Sequence, residues 1–155
     1  MDYINIQTEN FQVQDLYQKL IDDNGTQGAL ATFVGLVRSQ EKSQGVNPEN
    51  RVLFLTLEHY PAMTQKALEK IIEQARERWD LGSAVIVHRV GTIDAGEQIV
   101  FVGVTSSHRK AAFDACEFIM DYLKTKAPFW KKETTAKGTH WVEAKTSDEK
   151  AASQW

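Results

Sequence analysis

TSSHRKAAFDACEFIMDYLKTKAPFWKKE, residues 105–133, contains a strand end, a helix, a break and a new extended segment in that order. Ala112, Cys116, Ile119 and Leu123 recur four, three and four residues apart, which is one face of an α-helix. Ser106 or Ser107 is placed to cap its start. Pro128 ends it, because the residue before a proline is pushed out of helical geometry. His108, Arg109 and Lys110 lie at one end of the helix, and Lys124 and Lys126 at the other, followed at once by Phe129-Trp130-Lys131-Lys132. Cations held beside aromatics at a structural break are costly unless an anion binds there or a lysine works chemically.

Outward from this stretch the chain alternates between helices and strands, without repeats. SAVIVHRVGTI (83–93) and EQIVFVGVTS (97–106) read as two strands joined by a turn at Asp94-Ala95-Gly96. A helix precedes them, opened by Tyr60-Pro61, with Met63, Ala67, Leu68, Ile71, Ile72, Ala75 and Trp79 as its buried face and Leu81-Gly82 as its stop. Further upstream, GALATFVGLVR (28–38) and RVLFLTLEHY (51–60) are strands, and Gly35 marks a bulge or a close backbone approach. Between them residues 39–50, SQEKSQGVNPEN, read as a mobile loop. Phe11, Val13, Leu16, Tyr17, Leu20 and Ile21 fall at helical spacing, ended by Asn24-Gly25. Downstream, a hairpin over 129–145 turns at Lys137-Gly138, and residues 146–155 read as a polar tail. The expected fold is one α+β domain over residues 1–155, with a mostly antiparallel sheet and three main helices.

Composition excludes several function classes. Hydrophobic residues make up 42% and charged residues 25% of 155, as in ordinary globular domains. A net charge of -3 argues against a general nucleic-acid binder. No apolar run has the length of a membrane span, and the N-terminus lacks the layout of a secretory signal. Cys116 is the only cysteine, so no internal disulfide forms and a reducing cytoplasm is expected. One cysteine and four scattered histidines show no zinc-ligand spacing.

Each candidate residue has a plain reading beside its chemical one. Lys124 sits at the negative end of a helix dipole, where a lysine is favourable without any function. Lys131 can be a solvent-facing strand residue. Brought together, however, two ammonium groups under aromatic cover lower each other's affinity for a proton, and one then acts near neutral pH. The Ser106-Ser107-His108-Arg109 junction is either a cap followed by surface charges or an anion site. Arg38 closes a strand, where it is either a surface charge or an anion ligand. Glu58-His59 and His88-Arg89 read as cross-strand polar pairs, and Cys116 as a small buried apolar residue.

GALATFVGLVRSQ, LTLEHYPAMTQKAL, VIVHRVGTIDAGEQIVFVGVTSSHRKAAF and FIMDYLKTKAPFWKKE, in this order, closely resemble the large, catalytic subunit family of molybdopterin synthase, the MoaE family. The resemblance runs from about residue 28 to the WVEAK of 141–145. It implies an α+β fold with an α/β-hammerhead-like subdomain, and a sulfurtransferase that converts cyclic pyranopterin monophosphate into the dithiolene of molybdopterin. It implies a partner, a small ubiquitin-like subunit whose C-terminal Gly-Gly carries the sulfur as a thiocarboxylate. It implies a homodimer at the core of a heterotetramer, and no metal or redox cofactor, since the sulfur arrives activated. Carried over by position, the pocket lysines fall on Lys124 and Lys131, with Lys124 the central acid/base group and Lys131 orienting the intermediate and tuning its neighbour. The substrate phosphate falls to His108 and Arg109 from the neighbouring protomer. Arg38 is the strand-end arginine, and Phe33 and Met120 match wall positions. Lys145 departs from the pattern, since the family often has arginine there. A binding module without activity, and an RNA binder using the FWKK strip, remain as alternatives.

Overall fold

The computed structural model describes residues 1–21, 25–39, 47–143 and 145–155. In chain order its elements are β1 (Asp2–Gln7), α1 (Val13–Ile21), β2 (Ala29–Leu36), a 3-10 turn (Pro48–Asn50), β3 (Phe54–His59), α2 (Pro61–Arg78), β4 (Leu81–Arg89), β5 (Gly91–Asp94), β6 (Gln98–Ser106), α3 (Arg109–Lys126), β7 (Phe129–Thr135), β8 (Gly138–Val142) and α4 (Thr146–Ser153). They build an α+β fold on two four-stranded sheets, ordered β1-β4-β6-β2 and β5-β3-β7-β8. Every pairing is antiparallel except β1 with β4.

The first sheet is buried on both faces, so its central strands β4 and β6 read as almost unbroken apolar runs. The period of two still sorts them. Ala84 and Ile86 face α2 and α3, packing with Leu68, Ile72, Ala112, Ile119 and Leu123. Val85 and Val87 face the other way, packing with Leu16, Leu20 and Phe101 near α1. Ile119 is completely buried on the helix that ends in Lys124. Ile119→Ala is expected to destabilise the fold by about 2–5 kcal/mol, through lost burial and an unfilled cavity. The check is a lower urea midpoint at an unchanged denaturant slope.

Most of the expected elements are found, and Gly35 does mark a bulge: the β2–β6 register shifts between Gly35 and Leu36. A Cβ at Gly35 would also lie 2.6 Å from a Val100 methyl. Several expectations change. The run 83–93 is two strands, not one. It bends at Val90-Gly91, where Gly91 takes φ +81°, a conformation that side chains disfavour, and the chain crosses from the first sheet into the second. Leu81-Gly82 does not stop α2; the helix ends at Arg78 and Leu81 already belongs to β4. Arg76 spans this junction, donating to the carbonyls of Leu81 and Gly82 and pairing with Asp2. In α2 it is Thr64, not Met63, that turns inward, and Met63 is 60% exposed.

Neither Ser106 nor Ser107 caps α3. His108 occupies the cap position without a side-chain bond, and Ser106 is buried, donating from its hydroxyl to the Asp80 carbonyl at 2.8 Å. The expected mobile loop falls partly on residues 40–46, which lie outside the described residues; residues 48–50 form the 3-10 turn. The expected polar tail is a helix, α4, and Trp155 beyond it packs edge-on against Trp79 and Phe118 at 5.6 and 5.8 Å. Its indole N–H donates to Asp121 at 2.6 Å.

Candidate active site

Where the end of β2 meets the second sheet, a cavity of about 500 Å³ opens. The end of β2 supplies Arg38, the last turn of α3 supplies Lys124, β7 supplies Phe129, Lys131 and Glu133, and the start of α4 supplies Lys145 and Asp148. Strand periodicity explains the β7 contribution. Phe129, Lys131 and Glu133 share one face and line the cavity. Trp130 and Lys132 take the other face, where Trp130 meets Tyr60 edge-on at 4.9 Å and Lys132 pairs with Glu58 at 3.2 Å. Lys132 also lies 4.4 Å over the Trp141 ring. The FWKK strip therefore divides between a site lysine and an ordinary paired one.

Lys124 and Lys131 converge: both line the cavity, one from the last turn of α3 and one from β7. Lys131 is the half-buried member of the pair. Burial first, then the charge and closeness of the Lys124 amine, bring its pKa down to about 8, with Lys145 adding to the fall and Asp148 opposing it. The shift expected from paired lysines thus falls on Lys131.

Behind Phe129 lies His88, stacked on its ring at 4.1 Å and 20°. Its Nδ1 lies 2.8 Å from the Arg89 carbonyl, the geometry of a ring N–H donating to that oxygen. Burial drives the His88 pKa down to about 3, against the Arg89 bond, and the charges of Lys131, Lys124 and His59 act in the same direction as burial. His88 is a neutral floor to the site, not a cross-strand surface pair. Cys116 is buried, and burial pushes its thiol up to about 12, so it packs as a small apolar group and offers no thiolate.

Other expected site residues are elsewhere in a single chain. His108 and Arg109 are exposed at the start of α3. Arg109 is fifteen residues before Lys124, about 22 Å along the helix. Phe33 lies on β2, 42% exposed, and Met120 is half-buried against the core one turn before Lys124. Neither is among the described residues that line the cavity. Glu133, Glu143 and Asp148 do line it, and were not singled out from the sequence; nothing in their local pattern separates them from surface acids. Among the described residues no three His, Cys, Asp or Glu side chains converge to hold a metal ion.

The MoaE protein family matches residues 6–126, a span holding the central strands β4 and β6 of the first sheet and the helix with Lys124. The chain belongs to the MoaE family. The molybdopterin synthase catalytic subunit of Escherichia coli K12 is 55% identical over 128 residues, covering 83% of this chain and 81% of that protein. The subunit of the same name from Vibrio cholerae serotype O1 is 49% identical over 156 residues, covering 100% and 99%. The solved molybdopterin biosynthesis MoaE protein of Burkholderia ambifaria superposes with a TM-score of 0.82 at 48% identity, covering 100% of this chain and 98% of its own. The match to the MoaE family extends through residue 126 only, so Lys131, Lys145 and Asp148 are assigned to the site by geometry.

Proposed function

We propose that the cavity holding Lys124 and Lys131 is a sulfur-transfer site. The chain is a molybdopterin synthase catalytic subunit, a sulfur-transferring enzyme of molybdenum cofactor biosynthesis. The observation that carries the site assignment is the pair of lysines facing one cavity, with Lys131 brought down to about 8 by burial and by its neighbour. A thiocarboxylate and a pterin phosphate are both anionic, and the cavity sets Arg38, Lys124, Lys131 and Lys145 around them. Preorganised cations stabilise the charge that develops as sulfur attacks and the cyclic phosphate opens. Lys131, with a neutral form accessible near physiological pH, takes up a proton; Lys124 presents its ammonium as the donor to the departing oxygen. A cytoplasmic location is our reading for such a biosynthetic enzyme; separately, no described helix is long and apolar enough to cross a membrane.

The substrate phosphate is held by His108 and Arg109 of a second copy, because their own Lys124 is a helix length away. Phe33 and Met120 serve as walls only once that copy is in place.

The direct test supplies cyclic pyranopterin monophosphate and a small ubiquitin-like carrier loaded as its C-terminal thiocarboxylate. Formation of the dithiolene product with matching loss of thiocarboxylate is expected. Tight binding of both without any sulfur loss would instead make the chain a binding module. A further arm concerns the carrier. Gly-Gly is the slimmest peptide end that enters a closed cavity, so deleting it should end transfer yet only weaken binding, the globular body supplying most of the contact. Complete loss of binding by calorimetry would show that the tail holds the complex.

A further inference from the structure

We infer that Asp148 is a positioning residue of the lysine site, and that the Trp155 ring holds it in place. The inference rests on the sulfur-transfer reading for what Lys131 does, but not for where Asp148 sits. Helix α4 has eight residues and none of them is buried. So short a helix does not persist by itself in water. It packs on α3, and the side-chain contacts that tie it down lie just past its C-terminal end. There Trp155 lies against Trp79 and Phe118, and both its indole N–H and the Gln154 amide donate to Asp121. At the opposite end of α4, Asp148 lines the cavity, its backbone N–H bonded to the Lys145 carbonyl at 3.0 Å. One aromatic anchor on α3 thereby sets a carboxylate beside a lysine on β7.

The charges around Lys131 show what that carboxylate does. Lys124 from α3 and Lys145 from the start of α4 drive its proton off, together with burial; Asp148 draws the proton back. Glu133 on the same strand, Glu143 after β8 and Arg38 after β2 complete the charged lining, and His88 and His59 lie behind Phe129. Asp148 keeps Lys131 divided between its two protonation states near neutral pH. Without it a larger share of the amine would be neutral near physiological pH, with less charge left for the anionic substrate.

The experiment is a pH titration of the Lys131 amine by NMR in the full chain carrying 13C-labelled lysine, with Lys131→Gln identifying the signal. In Asp148→Asn the midpoint should fall by about half a pH unit or more, because an opposing charge is lost at close range. Trp155→Ala should move it the same way although the carboxylate is intact, and Trp155→Phe, which keeps an aromatic ring on Trp79 and Phe118, should recover most of the shift. An unmoved midpoint in a natively folded Asp148→Asn protein overturns the role of Asp148. A shift in Asp148→Asn with none in Trp155→Ala overturns the anchoring role. The titration needs neither carrier nor pterin, so a wild-type chain that transfers no sulfur counts against the proposed function while the titration still decides this inference. Where transfer is measured, the pH limb governed by Lys131 should move down with the midpoint.

Discussion

Lys124→Ala is expected to leave a folded protein that transfers no measurable sulfur. Lys124 is exposed and follows Leu123, the last core residue of its helix, so its removal opens no cavity. What is lost is the proton donor and one partner of the lysine pair. Removing a general acid alone lowers turnover by about 10²–10⁴. Here the same change strips a cation from an anionic substrate and releases Lys131 from its neighbour, which should carry the loss beyond that range. Lys124→Arg should fail too, since a guanidinium keeps its proton at any workable pH. The unfolding free energy from urea titration should stay within about 0.5 kcal/mol of wild type, as for surface substitutions generally. Near-normal turnover by Lys124→Arg would remove proton transfer from Lys124. The pH profile of the wild type has a direction as well. Lys131 loses its proton around pH 8, so activity that uses the neutral amine rises as pH passes upward through that value. Lys131→Gln should give a low, flat profile.

Two inactive proteins, Arg109→Ala and Lys124→Ala, should regain activity when mixed under conditions that exchange subunits. The separation of Arg109 and Lys124 along α3 rules out service to one pocket by a straight helix, and a second copy is the direct way to join them. After random exchange half of the dimers are mixed and each has one intact pocket, so roughly a quarter of wild-type activity returns. Proven exchange with no recovery would place Arg109 outside the pocket or in that of its own chain.

The residues that made this site legible are those whose local pattern is unusual. Lys124 and Lys131 stood out because Pro128 and two aromatics separate them, and a helix that must end at a proline turns the next strand back across it. Core positions such as Ala112, Cys116, Ile119 and Leu123 were readable because burial on one face imposes a period. The divided strand at Val90-Gly91 was not readable, since each half alone has the apolar run of a buried strand and only tertiary packing sends Gly91 to another sheet. β1 is not legible because only Ile4 and Ile6 alternate with polar residues, over too short a span to rise above loop. Trp155 was missed for a different reason: a single anchor has no period, and TSDEKAASQW carries its one large apolar group at the far end. Asp148 followed it out of view, since its placement depends on that anchor.

The parallel pairing of β1 with β4 also bears on how the protein is made. Asp2 pairs with Ala84, so β1 leaves the ribosome long before the strand it bonds to. Helix α1 packs against β4 and β6, and therefore waits as well. A nascent chain halted before residue 81 would carry these segments with their apolar faces uncovered, the condition under which chains aggregate or are held by chaperones. β1 and α1 are thus made well before the strands that shelter them, and the rate at which residues 81–106 emerge governs how long they stand exposed.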